Sequence, residues 1–122
     1  MMREDAKKIY THAIEVCKPY AAVLRALERL PDTGGRLFVL AIGKAAWEMA
    51  RVSAEALGAR IARGMVITKH GHCQGEIPRF TLFEGGHPVP DEDTLTATQA
   101  ALDMTEALRA DDVLLFLVSG GG

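Results

Sequence analysis

Six consecutive apolar residues, Leu37-Phe38-Val39-Leu40-Ala41-Ile42, lie between Gly35-Arg36 and Gly43-Lys44. A run without alternation has no solvent face, which predicts a strand covered on both sides. Met65-Val66-Ile67-Thr68 predicts a second strand of this kind, and Val113-Leu114-Leu115-Phe116-Leu117-Val118 a last one. Phe80-Thr81-Leu82-Phe83-Glu84 is more amphipathic and predicts a strand nearer an edge. Between the strands the apolar period lengthens to three and four residues, the signature of helices. Residues 44–57 place Ala45, Met49, Val52 and Ala56 on one face, with Gly58 as a C-terminal cap. Residues 93–110 place Leu95, Ala101, Leu102, Thr105 and Leu108 on a buried side, with Asp91 or Asp93 as N-cap. Residues 3–30 also read as helix, through Ile9, Ala13, Val16, Tyr20, Val23, Leu24 and Leu27. Pro19 kinks or splits that helix, and Pro31-Asp32-Thr33-Gly34-Gly35 ends it.

Strands alternating with long helices imply right-handed crossovers and a mainly parallel sheet. The expected fold is α/β, a Rossmann-like three-layer sandwich, incomplete at its C-terminal side. At 122 residues the chain has the length of one domain, and no internal repeat divides it. Acidic and basic residues, 16 and 14, are interleaved to a net charge of −2, so no basic block points to a nucleic-acid partner. The charged start, Met1-Met2-Arg3-Glu4-Asp5, lacks the apolar stretch of a signal peptide, and no apolar run is long enough to span a membrane. Cys17 and Cys73 have no metal or redox spacing, which predicts free thiols in a cytoplasmic protein.

Open parallel sheets bind ligands beyond the carboxyl ends of their strands. Four unusual segments fall at those ends: Gly43-Lys44, Lys69-His70-Gly71-His72, Glu84-Gly85-Gly86-His87 and Ser119-Gly120-Gly121-Gly122. Glycines after a buried strand let backbone N–H groups close around phosphate or another anion. Gly43-Lys44 is not a Walker A loop, which would need glycine where Phe38 stands and a hydroxyl residue where Ala45 stands. A dinucleotide fingerprint fails as well, because Ala41-Ile42-Gly43-Lys44-Ala45-Ala46 holds one glycine. What remains is a lysine at a helix N-terminus, suited to a phosphate or carboxylate or else simply solvated. Lys69 or His87 can position a substrate oxygen. The His70, His72, Cys73 and His87 set lacks the paired spacing of a zinc site, and no metal ligand is assigned. Asp91, Glu92 and Asp93 read as capping acids rather than magnesium ligands. Trp47 and Met49 read as core or interface residues. Ser119 is outside any Gly-x-Ser-x-Gly elbow and reads as a hydrogen-bonding hydroxyl rather than a nucleophile.

Together, Ala41 through Ala46, Val66 through His72, Gly85-Gly86-His87-Pro88-Val89-Pro90-Asp91-Glu92 and Leu115 through Gly122 resemble the N-terminal part of the glycerate 2-kinases. Members of that family also carry the name hydroxypyruvate reductase of tartrate utilisation. The resemblance implies ATP-dependent phosphorylation of D-glycerate to 2-phosphoglycerate with magnesium. It implies two α/β domains with the active site in the cleft between them, residues 1–122 being the first part of the larger domain. It implies that Gly43 and Lys44 contact substrate or the transferring phosphoryl group. Ser119, Gly120, Gly121 and Gly122 would line the same cleft, with His87 in a loop nearby. Family members are much longer, so the 122-residue chain alone is expected to be inactive. The alternatives are a hydroxypyruvate reductase, against which the missing dinucleotide fingerprint counts, and a non-catalytic module for a sugar phosphate or carboxylate.

Overall fold

The computed structural model describes residues 8–14, 19–85 and 92–119. These form five strands, β1 (Lys8–Ile14), β2 (Leu37–Ile42), β3 (Ile61–Lys69), β4 (Phe80–Gly85) and β5 (Val113–Ser119). Three α-helices join them, α1 (Pro19–Leu27), α2 (Ala46–Leu57) and α3 (Glu92–Glu106). The sheet order is β1-β5-β2-β3-β4, and every pairing is parallel. The four strands β2 to β5 carry the core, with β4 at one edge, as its amphipathic sequence predicts, and β1 added at the other.

Alternate residues of each strand face opposite layers, because the strand period is two. Val39, Ala41, Val66, Leu115 and Leu117 pack with Val23 of α1 and Met49 and Val52 of α2. Phe38, Leu40, Met65 and Leu114 pack on the other side with Met104 of α3 and with Leu108. Helices thus cover both faces, which accounts for the continuous apolar strands. Leu115 is 1% exposed, and burying such a side chain contributes about 1.5–3 kcal/mol.

The start of the chain departs from the helix expected over residues 3–30. Lys8–Ile14 is a strand paired in register with β5, Lys8 opposite Val113 and Ile14 opposite Ser119, which places His12 on β1 rather than in a helix. Ile9-Tyr10-Thr11 are residues that suit strands, and the free edge of β5 supplies the partner. Pro19 opens α1 instead of kinking a longer helix, since the first helical position needs no N–H donor. Val23 is buried as expected, whereas Tyr20 is 53% exposed. In α3, Leu95 and Leu102 also face outward, and Ala97 and Met104 take the buried positions.

At the amino ends of the strands, Asp112 ties β2 to β5. Its carboxylate accepts from the Arg36 backbone N–H at 3.0 Å, from Arg36 Nε at 3.2 Å, from Arg36 Nη2 at 2.6 Å and from the Arg109 N–H at 2.8 Å. Burial alone would raise the carboxyl pKa, but the Arg36 guanidinium and the two N–H donors outweigh it and hold it at about 2. Replacing Asp112 with asparagine removes the charge and turns one acceptor into a donor facing other donors. The expected loss is about 2–4 kcal/mol at neutral pH. An unfolded aspartate titrates near ~3.9, above the folded group. The stabilisation is therefore complete above that value and is lost as pH falls towards 2. Urea unfolding of both proteins should show a gap that narrows across that window.

Candidate functional site

The carboxyl edge is built around Gly43. Its N–H donates to the Ile67 carbonyl at 3.1 Å, continuing the β2–β3 ladder by one residue. The chain then turns with φ +123° at Gly43, a region that suits glycine, and the Ala46 N–H donates to the Gly43 carbonyl at 3.1 Å. α2 begins at once. Its N-cap residue, Ala45, has no side-chain acceptor to offer. The neighbouring strand supplies one instead, because the Ala45 N–H donates to Ser119 Oγ at 3.0 Å. Ser119 is 4% exposed and ends β5. A Cβ on Gly43 would overlap Ser119 Oγ and stand 2.8 Å from the Ser119 carbonyl oxygen. The close approach of the two strand ends therefore depends on glycine here.

Lys44 sits on this turn with its side chain exposed. Gly43, Lys44 and Ser119, singled out separately in the sequence, converge at one helix N-terminus. His87, Gly120, Gly121 and Gly122, together with the Asp91 cap, lie outside the described residues. Thr68 extends the edge in the other direction. Ile42 pairs with Val118 and with Ile67, so the next row runs Ser119, Gly43, Thr68, and Thr68 pairs with Glu84. Thr68 is 5% exposed, and among the described residues its Oγ1 has no hydrogen-bond partner.

The segment after β3 folds back over this edge and is pinned on two sides. On the β4 side, the Glu84 carboxylate accepts from the Cys73 N–H at 2.9 Å and stands 4.0 Å from His70 Nδ1. The N–H groups of Cys73 and Gly71 hold the Glu84 carboxyl below its ordinary range. On the α2 side, Trp47 Nε1 donates to the Gly75 carbonyl at 2.8 Å, and His72 Nδ1 lies 3.3 Å from the Lys44 carbonyl. Trp47 is half-buried against the core cluster, so it serves both packing and loop attachment. Burial, with the Glu84 charge added, pushes the Cys73 thiol up to about 11. That thiol is neutral at physiological pH and is no nucleophile. Glu84 was visible in the sequence as an acid ending an apolar strand; nothing in the sequence marked what it would hold.

Chemically, the edge suits an anion. A helix N-terminus carries about half a positive charge, Lys44 adds a full one, and glycine permits backbone approach. Among the described residues no group of three or more His, Cys, Asp or Glu side chains could hold a metal ion. No helix among the described residues is long and apolar enough to cross a membrane.

The fold is a Rossmann-like α/β domain whose Gly43 turn and Ser119 meet at the carboxyl ends of its parallel strands. Residues 5–122 match a protein family described as a domain of unknown function, DUF4147. The chain belongs to that family, the N-terminal domain of the glycerate kinases. It is 42% identical over 121 residues to a D-glycerate 2-kinase of Thermotoga maritima, a match covering 99% of this chain and 28% of that protein. It is 34% identical to a glycerate 2-kinase of Pyrococcus horikoshii, over 99% of this chain and 29% of that protein. The crystal structure of glycerate kinase from Thermotoga maritima superposes with a TM-score of 0.76 at 44% identity, covering 84% of this chain and 24% of that one. The chain therefore spans under a third of the length of these relatives.

Proposed function

We propose that this chain forms one wall of the active-site cleft of an ATP-dependent D-glycerate 2-kinase. The observation that carries the reading is the meeting of Gly43, Lys44 and Ser119 at the N-terminus of α2. The 42% identity to a D-glycerate 2-kinase supports the choice of substrate.

Phosphoryl transfer asks the protein for positioning and charge stabilisation rather than covalent chemistry. Each residue has a part in that. Gly43 lets the backbone come close to a phosphate or carboxylate. Ser119 takes up the Ala45 N–H and so fixes the first turn of α2 against β5. The remaining N–H groups of that turn face the anion. The Lys44 ammonium supplies a charge where negative charge gathers as the phosphoryl group moves. ATP would bring the transferable phosphoryl group.

Because the chain spans 28% of its Thermotoga relative, the reading is tested on the chain completed to the length of its relatives. Incubated with D-glycerate and ATP, it should release ADP in step with a phosphorylated acid. A protein that instead oxidises NADH with hydroxypyruvate is a reductase. One that binds glycerate or phosphate without turnover is a binding module.

A further inference from the structure

We infer that His72 is the proton acceptor for the substrate hydroxyl, with Nε2 as the accepting atom. This rests on the kinase reading above. The argument begins with a tautomer. The partner of His72 Nδ1 is the backbone carbonyl of Lys44, at 3.3 Å. A carbonyl oxygen can only accept, so Nδ1 carries the hydrogen and donates it. A neutral imidazole has one N–H, and Nε2 is left with its lone pair.

Placement is the second part. The bond is made to Lys44 itself, so the imidazole is attached at the turn that carries the cationic side chain. The backbone on either side is fixed. The His72 N–H donates to the Lys69 carbonyl at 3.2 Å, the Cys73 N–H is held by Glu84 at 2.9 Å, and the Gly75 carbonyl is held by Trp47 at 2.8 Å. A general base works when it is held within hydrogen-bond reach of the proton it takes. Three anchors within four residues supply that rigidity to an otherwise exposed loop. The charged and titratable groups of the packed elements are Lys44 and Glu48 of the α2 start, Lys69, His70 and Cys73 on the same segment, and Glu84 of β4. Glu48 is bridged to Arg51.

In the step, the substrate O–H bond breaks and its proton passes to Nε2. The freed oxygen forms a bond to the terminal phosphorus of a nucleoside triphosphate. The bond from that phosphorus to the bridging oxygen breaks, and its electron pair leaves on the nucleoside diphosphate. Nothing is oxidised or reduced.

His72→Asn tests this, because the asparagine amide N–H can keep the bond to the Lys44 carbonyl while no atom replaces Nε2. In the completed chain, this variant should hold KM within about threefold and lower kcat about 100-fold or more. Imidazole nitrogen NMR of the wild type should show the Nδ1–H tautomer. A His72→Asn kcat within threefold of wild type, or an Nε2–H tautomer, overturns the assignment. An inactive wild type removes the kinase reading and this inference with it. An active wild type with an indifferent His72→Asn removes only the inference.

Discussion

Lys44→Ala is expected to lower kcat/KM for glycerate phosphorylation by about 10²–10⁴-fold, the range seen when a preorganised group aimed at developing charge is removed. Folding stability should hardly change. Lys44 is exposed on a turn, its backbone carbonyl rather than its side chain meets His72, and surface substitutions of this kind usually lie within about 0.5 kcal/mol. The fold gains slightly if it changes at all, because a cation just before a helix N-terminus opposes the dipole. A residue that costs the fold nothing when removed and costs turnover heavily has its reason in the ligand. Thermal melting alongside steady-state kinetics separates the two quantities. Near-wild-type turnover would take Lys44 out of the mechanism.

Gly43→Ala should damage both the fold and the activity. A non-glycine residue at φ +123° is strained by about 1–3 kcal/mol. The added Cβ would overlap Ser119 Oγ and press on the Ser119 carbonyl oxygen at 2.8 Å, which is backbone and cannot rotate away. Moving β5 away from β2 at this point loosens the Ala45–Ser119 bond, worth about 1 kcal/mol. The total is about 3 kcal/mol of stability and at least a tenfold to hundredfold loss of activity, since a 1 Å misplacement can cost that much. Denaturant unfolding and kinetics of the same variant check both. An alanine variant that melts like wild type would show that the strand ends do not need this close approach.

Much of the sheet was legible because buried parallel strands are written as unbroken apolar runs. β3 began earlier than its apolar run, at Ile61, because Ala62 and Arg63 are exposed there. Gly64 is also part of that strand, where a side chain would strike the Phe80 ring at 2.5 Å. The pattern over residues 93–110 had the right period and a phase only partly right: Ala101 and Leu108 meet the core as expected, whereas Leu95 and Leu102, seven residues apart, face outward and Ala97 and Met104, also seven apart, face the sheet. Periodicity alone cannot choose between two such faces when the helix is only moderately amphipathic. β1 was misread because a spacing of three and four fits Ile9 and Ala13 as a helix face, while the vacant edge of β5 is a tertiary fact.

Of the candidate edge, Gly43 and Lys44 stood out in the sequence, because their chemistry is unusual after a buried strand. That Gly43 would lie against Ser119 required the strand order, which places β5 beside β2 although 70 residues of chain separate Gly43 from Val113. Glu84, Trp47 and His72 were harder to read, because each acts through a backbone atom of another segment. Backbone acceptors leave no trace in a sequence pattern.

Phosphoryl transfer to D-glycerate at this edge is followed by phosphorus NMR of the completed chain with D-glycerate and ATP. The resonance of 2-phosphoglycerate should grow with that of ADP, and both should vanish together in Lys44→Ala. No new phosphate ester beside an intact, folded protein, or the same ester formed equally by Lys44→Ala, would contradict it.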